Sequence, residues 1–352
     1  MKPDPSIDGA ANGSHARAMF TMGLAGGKPG FDPLALLLIA LAIEAVIGEA
    51  RILLRAFPHP VKALEGLVAT VERKLNRQHR SSADRALRGA LVSVVLIAVG
   101  GALGWGVAGL SRVHAWGSIP ELLVLVVLVS QRGPYDAARA IGGHLRRDQL
   151  SPARHRVASI VTGMVGATEL DTHGVARTAI EHTAHSFCAG VVAPVFWYVL
   201  LGLPGIIAYS VVGALDRVIG GDAPALRAFG FTAARLARVL DLIPARLAGL
   251  FVVLAAVFVP TASPAKAFKA MVRDGSKHRQ AKAGWPLAAT AGALGLALAG
   301  PGTGAQAPWL GDGRATATER DVSRALYLYA VACLINAMWL AALVMVRLEF
   351  GG

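Results

Sequence analysis

Charge is scarce in this sequence. Asp, Glu, Lys and Arg make up 16% of the 352 residues, against about 25% in soluble domains. Hydrophobic residues make up 54% and the mean hydropathy is +0.52, which excludes an ordinary soluble domain. Cysteine is nearly absent: Cys333 lies inside an apolar run and Cys188 beside another, a placement that excludes a disulfide framework. Aromatics are only 6%. No aromatic-studded basic helix or zinc-finger spacing accompanies the net charge of +13, so nucleic acid is not expected as a partner. In so apolar a chain, basic residues first mark cytoplasmic loops and anionic headgroups. There is no Walker A sequence: the nearest run, Gly23 to Lys28, has the wrong spacing. No strand precedes a GxGxxG, so any nucleotide site is of another kind. No inverted repeat is evident, which weakens a transporter reading. The first thirty residues are rich in Gly, Ala, Ser and Pro and lack the pattern of a signal peptide. They are expected to form a flexible tail, 1–30, ahead of a membrane domain, 31–352.

The chain does have long uncharged runs. An α-helix needs roughly 20 apolar residues to cross a hydrocarbon core of about 30 Å. Residues 89–111 and 325–346 contain no charge, and arginines close both ends of each. They are apolar on every face, as lipid or complete burial requires. Shorter or interrupted runs lie at 33–48, 122–129, 189–214, 245–260 and 285–300. The run 189–214 contains Pro194 and a Gly-Leu-Pro-Gly turn and reads as a kinked span or a hairpin. The run 285–300 is Gly- and Ala-rich, of doubtful depth. The expectation is an all-α, polytopic membrane helical bundle of about five to seven membrane segments, with amphipathic cytoplasmic helices. Gly100 and Gly104 have the small-xxx-small spacing of a packing face, and that face, like Asn336, should point into the bundle. Glu44 inside the first run is either a site candidate or an interfacial residue.

The densest polar cluster is DTHGVARTAIEHTAHSFC, residues 171–188. On a helix, Glu181, His185 and Cys188 fall at spacings of four and three and share one face. Such a face suits a transition metal or acid–base chemistry near neutral pH; interfacial histidines also simply bond headgroups or water. Asp216, in GALDRVIG, is suited either to Mg²⁺ with water completing the shell or to a structural pair with Arg217. Trp285, in Gly-Trp-Pro, doubles as an interfacial anchor.

The order and spacing of several motifs resemble one family. They are Gly48-Glu49 after the first run, His59-Pro60, LDTHGVARTAIE, GVVAPVFWYVLLGLPGIIAYSVVGALDRVIG, FGFTAARLARVLDLIPARLAGL, AGWPLAATAGALG and ATERDVSRALYLY. Over about residues 32–346 the chain resembles the adenosylcobinamide-phosphate synthases of cobalamin biosynthesis, the CobD/CbiB proteins. The resemblance implies a multi-pass protein of the cell inner membrane with its site facing the cytoplasm. It implies that aminopropanol, free or phosphorylated, is joined to a propionate carboxylate of adenosylcobyric acid. ATP and Mg²⁺ are the implied cofactors. The expected partners are a corrinoid substrate, an aminopropanol unit and membrane lipid, with a homo-oligomer left open.

Position by position, Glu49, His59, Asp171, Glu181, Asp216, Arg235 and Trp285 match the family in type. The resemblance makes Glu181 and Asp216 catalytic candidates and metal ligands, and His185, standing in place of a family carboxylate, is the third catalytic candidate. Glu49, His59, Asp171, Arg235 and Trp285 are the candidates for binding substrate and phosphate. They are expected at a cytoplasmic mouth formed by 171–190, Asp216 and the turn at Trp285. Other polar positions differ. Gly-Arg-Asp-Thr is replaced by Gly166-Ala167-Thr168-Glu169, Ala-Glu-Asn by Ala184-His185-Ser186, and Pro-Ser-Pro-Asn by Arg279-Gln280-Ala281-Lys282. An apolar scaffold with altered polar positions also fits a non-catalytic paralogue, comparable to AmpE, the sensor-like membrane protein of beta-lactamase induction.

Residues 51–88 carry nine Lys or Arg and residues 131–187 carry seven, so both stretches should be cytoplasmic. Cysteine labelling of Arg73→Cys and Arg147→Cys checks this. Reaction only from the cytoplasmic side is expected, and periplasmic accessibility at either position would sink it.

Overall fold

The computed structural model describes residues 32–48, 60–113, 115–161, 169–221, 223–278, 280–300 and 308–350. Glu49, His59, the tail 1–30 and residues 162–168 lie outside them. The described chain is an all-α membrane bundle with one two-stranded hairpin. In order, its elements are α1 (Pro33–Ile47), α2 (Pro60–Leu75), α3 (Ser82–Val113), α4 (Ser118–Leu128), α5 (Arg132–Arg146), α6 (Leu150–Ile160) and α7 (Thr172–Phe187). A π-helical stretch (Cys188–Val192) leads into α8 (Ala193–Ile219), followed by α9 (Pro224–Arg227), α10 (Phe231–Leu240), α11 (Leu242–Ala255), α12 (Pro264–Asp274) and α13 (Ala281–Leu294). The hairpin β1 (Leu298–Ala299) and β2 (Trp309–Leu310) precedes α14 (Glu319–Phe350).

Three stretches are long and apolar enough to cross a membrane: Ser82–Ser111, Thr172–Ile219 and Glu319–Glu349. Pro33–Ile47 and Leu242–Ala255 are shorter apolar helices. At 1.5 Å per residue the shorter pair spans only about 21–23 Å, less than a full core. The Thr172–Ile219 stretch is broken at Gly202, whose φ of 68° is a left-handed value, with Pro204 just beyond it. The run 285–300 is not a span. Its helix stops at Leu294, Gly295 takes a left-handed cap conformation, and the chain turns into β1, paired antiparallel with β2. A residue free of Cβ strain is what ends the helix there.

The chain divides into two compact units. The first comprises Met1–Ala40, Pro60–Leu128 and Pro194–Ala233; the second comprises Leu41–His59, Val129–Ala193 and Ala234–Gly352. In the first unit, Val68, Val92, Val211, Leu215, Ile219 and Phe229 form a buried cluster. One face of α3 exposes Leu91, Val95, Leu103 and Leu110, the surface that lipid covers in a membrane. Its opposite face carries the packing glycines. A Cβ on Gly100 would lie 2.9 Å from Val211, and one on Gly104 would lie 2.8 Å from the Pro204 backbone, so both point inward as their spacing suggests. Glu121 is buried, and its carboxylate accepts hydrogen bonds from Ser111 Oγ at 2.6 Å and Tyr198 Oη at 2.7 Å. The segment before α10 is tied down by Arg85, which donates to the Ala225 carbonyl and to Asn76 Oδ1.

In the second unit the residues after Val129 fold into three helices before the π stretch, the amphipathic set expected of 131–187. Glu44, fully buried, accepts the backbone N–H groups of Gln131 and Arg132 at 2.9 and 3.1 Å. It therefore caps the N-terminus of α5, where a carboxylate is stabilised by the helix dipole. Gln131 also donates to the Leu41 carbonyl and accepts from Tyr329 Oη. The π stretch frees a carbonyl, that of Gly190, and Ser130 N–H takes it at 2.9 Å. Asn336, fully buried in α14, points inward as expected.

Overpacking a tight helix contact costs about 1–3 kcal/mol. Gly104→Leu should therefore lower the thermal transition in detergent by several degrees. Gly101→Leu, where a Cβ meets nothing within 4 Å, should leave it unchanged. Equal transitions for the two variants would place Gly104 on the lipid face.

Candidate functional site

The polar residues of the second unit gather around the segment 295–318, which includes the β1–β2 hairpin. Helix α7 supplies one wall. Asp171 caps it, accepting Gly174 N–H at 2.7 Å. His173, Arg177 and Glu181 then recur every fourth residue and so line a single face. All three hold the segment: His173 Nδ1 donates to the Ala317 carbonyl at 2.8 Å, Arg177 Nη1 donates to the Ala315 carbonyl at 2.9 Å, and Glu181 Oε1 accepts Ala299 N–H at 2.7 Å. The Arg177 guanidinium also lies over the Trp309 ring, 5.3 Å from its centroid, a cation–π contact.

Two further carboxylates hold the same segment from other elements. Asp274, at the end of α12 and 1% exposed, accepts Gly311 N–H at 2.9 Å and Lys277 Nζ at 2.7 Å. Arg273 bridges Asp274 and Asp312. The Arg273 guanidinium hydrogen-bonded to Asp274 holds its carboxyl well below the usual carboxylate range, and Asp312 is lowered by the same guanidinium. The native pKa of Asp274 being depressed, its contribution to stability is present above the unfolded carboxylate value and is lost as pH falls.

Asp321, also 1% exposed, accepts Thr318 N–H and Oγ1–H at 2.9 Å and both bonds of Arg314 Nη2 at 2.8 Å. Arg324 adds a contact to Asp321 at 3.2 Å and reaches the Thr261 carbonyl at 2.9 Å. Asp321 makes one half of a capping box, its carboxylate reaching back to the Thr318 N–H. Three acids on three elements thus each accept one backbone N–H of the segment, from Ala299, Gly311 and Thr318 respectively. Glycine is required in this cap. Gly311 has a φ of 86°, and a Cβ on Gly313 would lie 2.0 Å from Gly295.

The sequence candidates distribute as follows. Asp171, Glu181, His185, Arg235 and Trp285 belong to the second unit, Asp216 to the first, and Glu49 and His59 lie outside the described residues. Asp171 serves as a helix cap and Glu181 as an anchor for β1. Trp285 is packed, with the Arg246 guanidinium 4.5 Å above its ring and Gly275 against it. His185 follows Glu181 by one turn and is half-buried; Arg235 is exposed on α10. Arg217, next to Asp216, pairs with Glu65 at 2.6 Å. Among the described residues no three His, Cys, Asp or Glu side chains converge on a metal position. Mg²⁺ needs only one or two carboxylates beside water and phosphate oxygens, and Glu181 uses one oxygen, Oε1, for Ala299. Sequence reading missed Arg177, Arg273, Asp274, Asp312, Arg314, Asp321 and Arg324. The four-residue recurrence of His173, Arg177 and Glu181 and the capping-box spacing of Thr318 and Asp321 were signals for some of them.

No solved structure matches the chain. The chain is 37% identical over 324 residues to the cobalamin biosynthesis protein CobD of Rhizobium meliloti, covering 90% of this chain and 98% of the relative. It is 35% identical over 304 residues to that of Brucella anthropi, covering 84% and 92%. It is 36% identical over 307 residues to that of Rhodobacter capsulatus, again covering 84% and 92%. A family model described as CobD/Cbib protein matches residues 37–329, the whole of the acid-anchored segment included, and the chain belongs to the CobD/CbiB family.

Proposed function

We propose that this chain works in cobalamin biosynthesis as a membrane-bound amide-forming ligase, joining aminopropanol or its phosphate to a propionate carboxylate of adenosylcobyric acid. The observation that carries the reading is the match over nearly the whole chain to relatives named cobalamin biosynthesis proteins. A carboxylate does not accept an amine directly. In the proposed reaction ATP phosphorylates the propionate to an acyl phosphate and leaves as ADP. The amine then attacks the carbonyl carbon, the C–O bond to phosphate breaks, and the amine proton passes to a base. His185 is the candidate base, one turn from Glu181 on the same face. When bound, Mg²⁺ would offset charge on the transferring phosphoryl group, and Glu181, through Oε2, is the carboxylate of the second unit proposed to hold it. Arg235 remains a phosphate candidate, because a guanidinium matches phosphate bidentately. The substrate is large and charged, so the reaction is placed at the cytoplasmic end of the inner-membrane bundle.

A second reading, a non-catalytic paralogue on the same scaffold, is favoured by one observation: Asp171 and Glu181 each commit a carboxylate oxygen to a backbone N–H. Complementation of a strain lacking the synthase, scored for cobinamide production, separates the two. The enzyme reading expects the wild-type chain to restore production and His185→Ala to reduce the rate about a hundredfold, the scale of a lost general base. Failure of the correctly folded wild type to restore any production would favour the paralogue.

A further inference from the structure

Helix α12 divides into three arcs. At about 100° per residue, Ala267, Ala270, Met271 and Asp274 fall on one side and are buried. Ala265, Phe268 and Val272 fall on the next side and are exposed, Phe268 at 53% and Val272 at 56%. Lys266, Lys269 and Arg273 fall on the third and are exposed as well. Bulky apolar side chains therefore face outward between the packed face of the helix and its basic face. Arg273 is spent on Asp274 and Asp312, and Lys277 on Asp274. Asp312 also feels the charge of Lys269, whereas Lys266 has no ion pair with any described residue. These four cations stand against two acids, and positive charge is left over.

The ends of the helix fix its level. Just before it, the Thr261 carbonyl accepts from Arg324 Nη2 at 2.9 Å. Arg324 closes the uncharged run 325–346 of α14, one of the stretches long enough to cross a membrane. At the far end Asp274 accepts Gly311 N–H at 2.9 Å, in the polar segment that precedes α14. Both ends are tied to the part of the second unit where the apolar layer gives way to polar residues. Helix α11 carries an exposed apolar stripe toward that level: Leu250 and Leu254, then Val257 and Phe258 in the turn beyond it.

From these arcs and ties we propose that α12 lies in the headgroup layer of an anionic membrane leaflet, with Phe268 and Val272 among the upper acyl chains and Lys266 and Lys269 on lipid phosphates. A helix packed sideways on a bundle at that level turns one flank to hydrocarbon and another to headgroups, and apolar and basic residues occupy those flanks in turn. Lysine stems can lie along apolar surface while the ammonium reaches a phosphate. The surplus positive charge selects anionic over zwitterionic lipid. The proposal concerns lipid contact and does not rest on the amide-forming reaction.

The test places an environment-sensitive fluorophore at Phe268→Cys in the full chain, held in nanodiscs of mixed phosphatidylcholine and phosphatidylglycerol, with a doxyl quencher carried on one lipid or the other. The wild type, with its buried Cys188 and half-buried Cys333, passes through labelling as the blank. Both lipids should quench, phosphatidylglycerol several-fold more, since each lysine at an anionic surface is worth about a fivefold enrichment. The double variant Lys266→Gln/Lys269→Gln should remove that preference and keep the quenching by phosphatidylcholine. Both lysines are exposed, so its thermal transition should be unchanged. A probe at Leu103→Cys, on the exposed face of α3, should be quenched equally by the two lipids and reports insertion. Absence of quenching at 268 beside quenching at 103 would give the face to a protein partner or a second copy and overturn the proposal. Equal quenching of the 268 probe by the two lipids overturns it without recourse to the lysine variant, and so does a preference that survives the loss of both lysines.

Discussion

The polar half of the second unit depends on three acids that each accept one backbone N–H of the segment 295–318: Glu181 from Ala299, Asp274 from Gly311 and Asp321 from Thr318. Among the described residues of the segment, the strands contribute only two residues each. Where no backbone carbonyl faces them, its buried N–H groups must be satisfied by side chains. A hydrogen bond to a charged group contributes about 1.5–3 kcal/mol, and a buried carboxylate stripped of its donors costs more than that gain. The arrangement is therefore mutual. The segment is fixed by the acids, and the acids tolerate burial because the segment and the arginines supply donors.

The same rule recurs wherever a charge is buried in this chain. Glu44 sits at the N-terminus of α5 and Glu121 between two hydroxyls. In each case the carboxylate is placed against donors that a helix end or a neighbouring helix presents. This lets an apolar bundle carry acids at all. It also gives two acids that sequence reasoning assigns to chemistry, Asp171 and Glu181, a structural bond each. Asp171 is the plainest example, an acid in a His-rich cluster whose oxygen caps α7.

The membrane architecture was legible because length and lack of charge are local properties. The uncharged runs in α3 and α14 announce themselves, and the spacing of Gly100 and Gly104 gives the packed face of α3 correctly. The break in α8 was legible from Gly202 and Pro204. The fate of 285–300 was not, because an Ala- and Gly-rich run reads the same whether it crosses lipid or ends in a left-handed glycine. The acid-anchored segment was legible only in part. Thr318 and Asp321 are three residues apart and Glu181 lies one helical repeat from Arg177. Asp274 and Gly311, however, are 37 residues apart and Glu181 and Ala299 are 118 apart, and no local pattern announces such pairs.

The most direct test is backbone amide hydrogen exchange of the wild type and of Asp321→Asn in detergent. Asparagine keeps the shape and one acceptor but removes the charge that Arg314, Arg324 and Thr318 share. Faster exchange is predicted in peptides covering 309–318, with peptides of α3 unchanged. Identical exchange across 309–318 in the two proteins would contradict the claim that buried acids hold this segment in place.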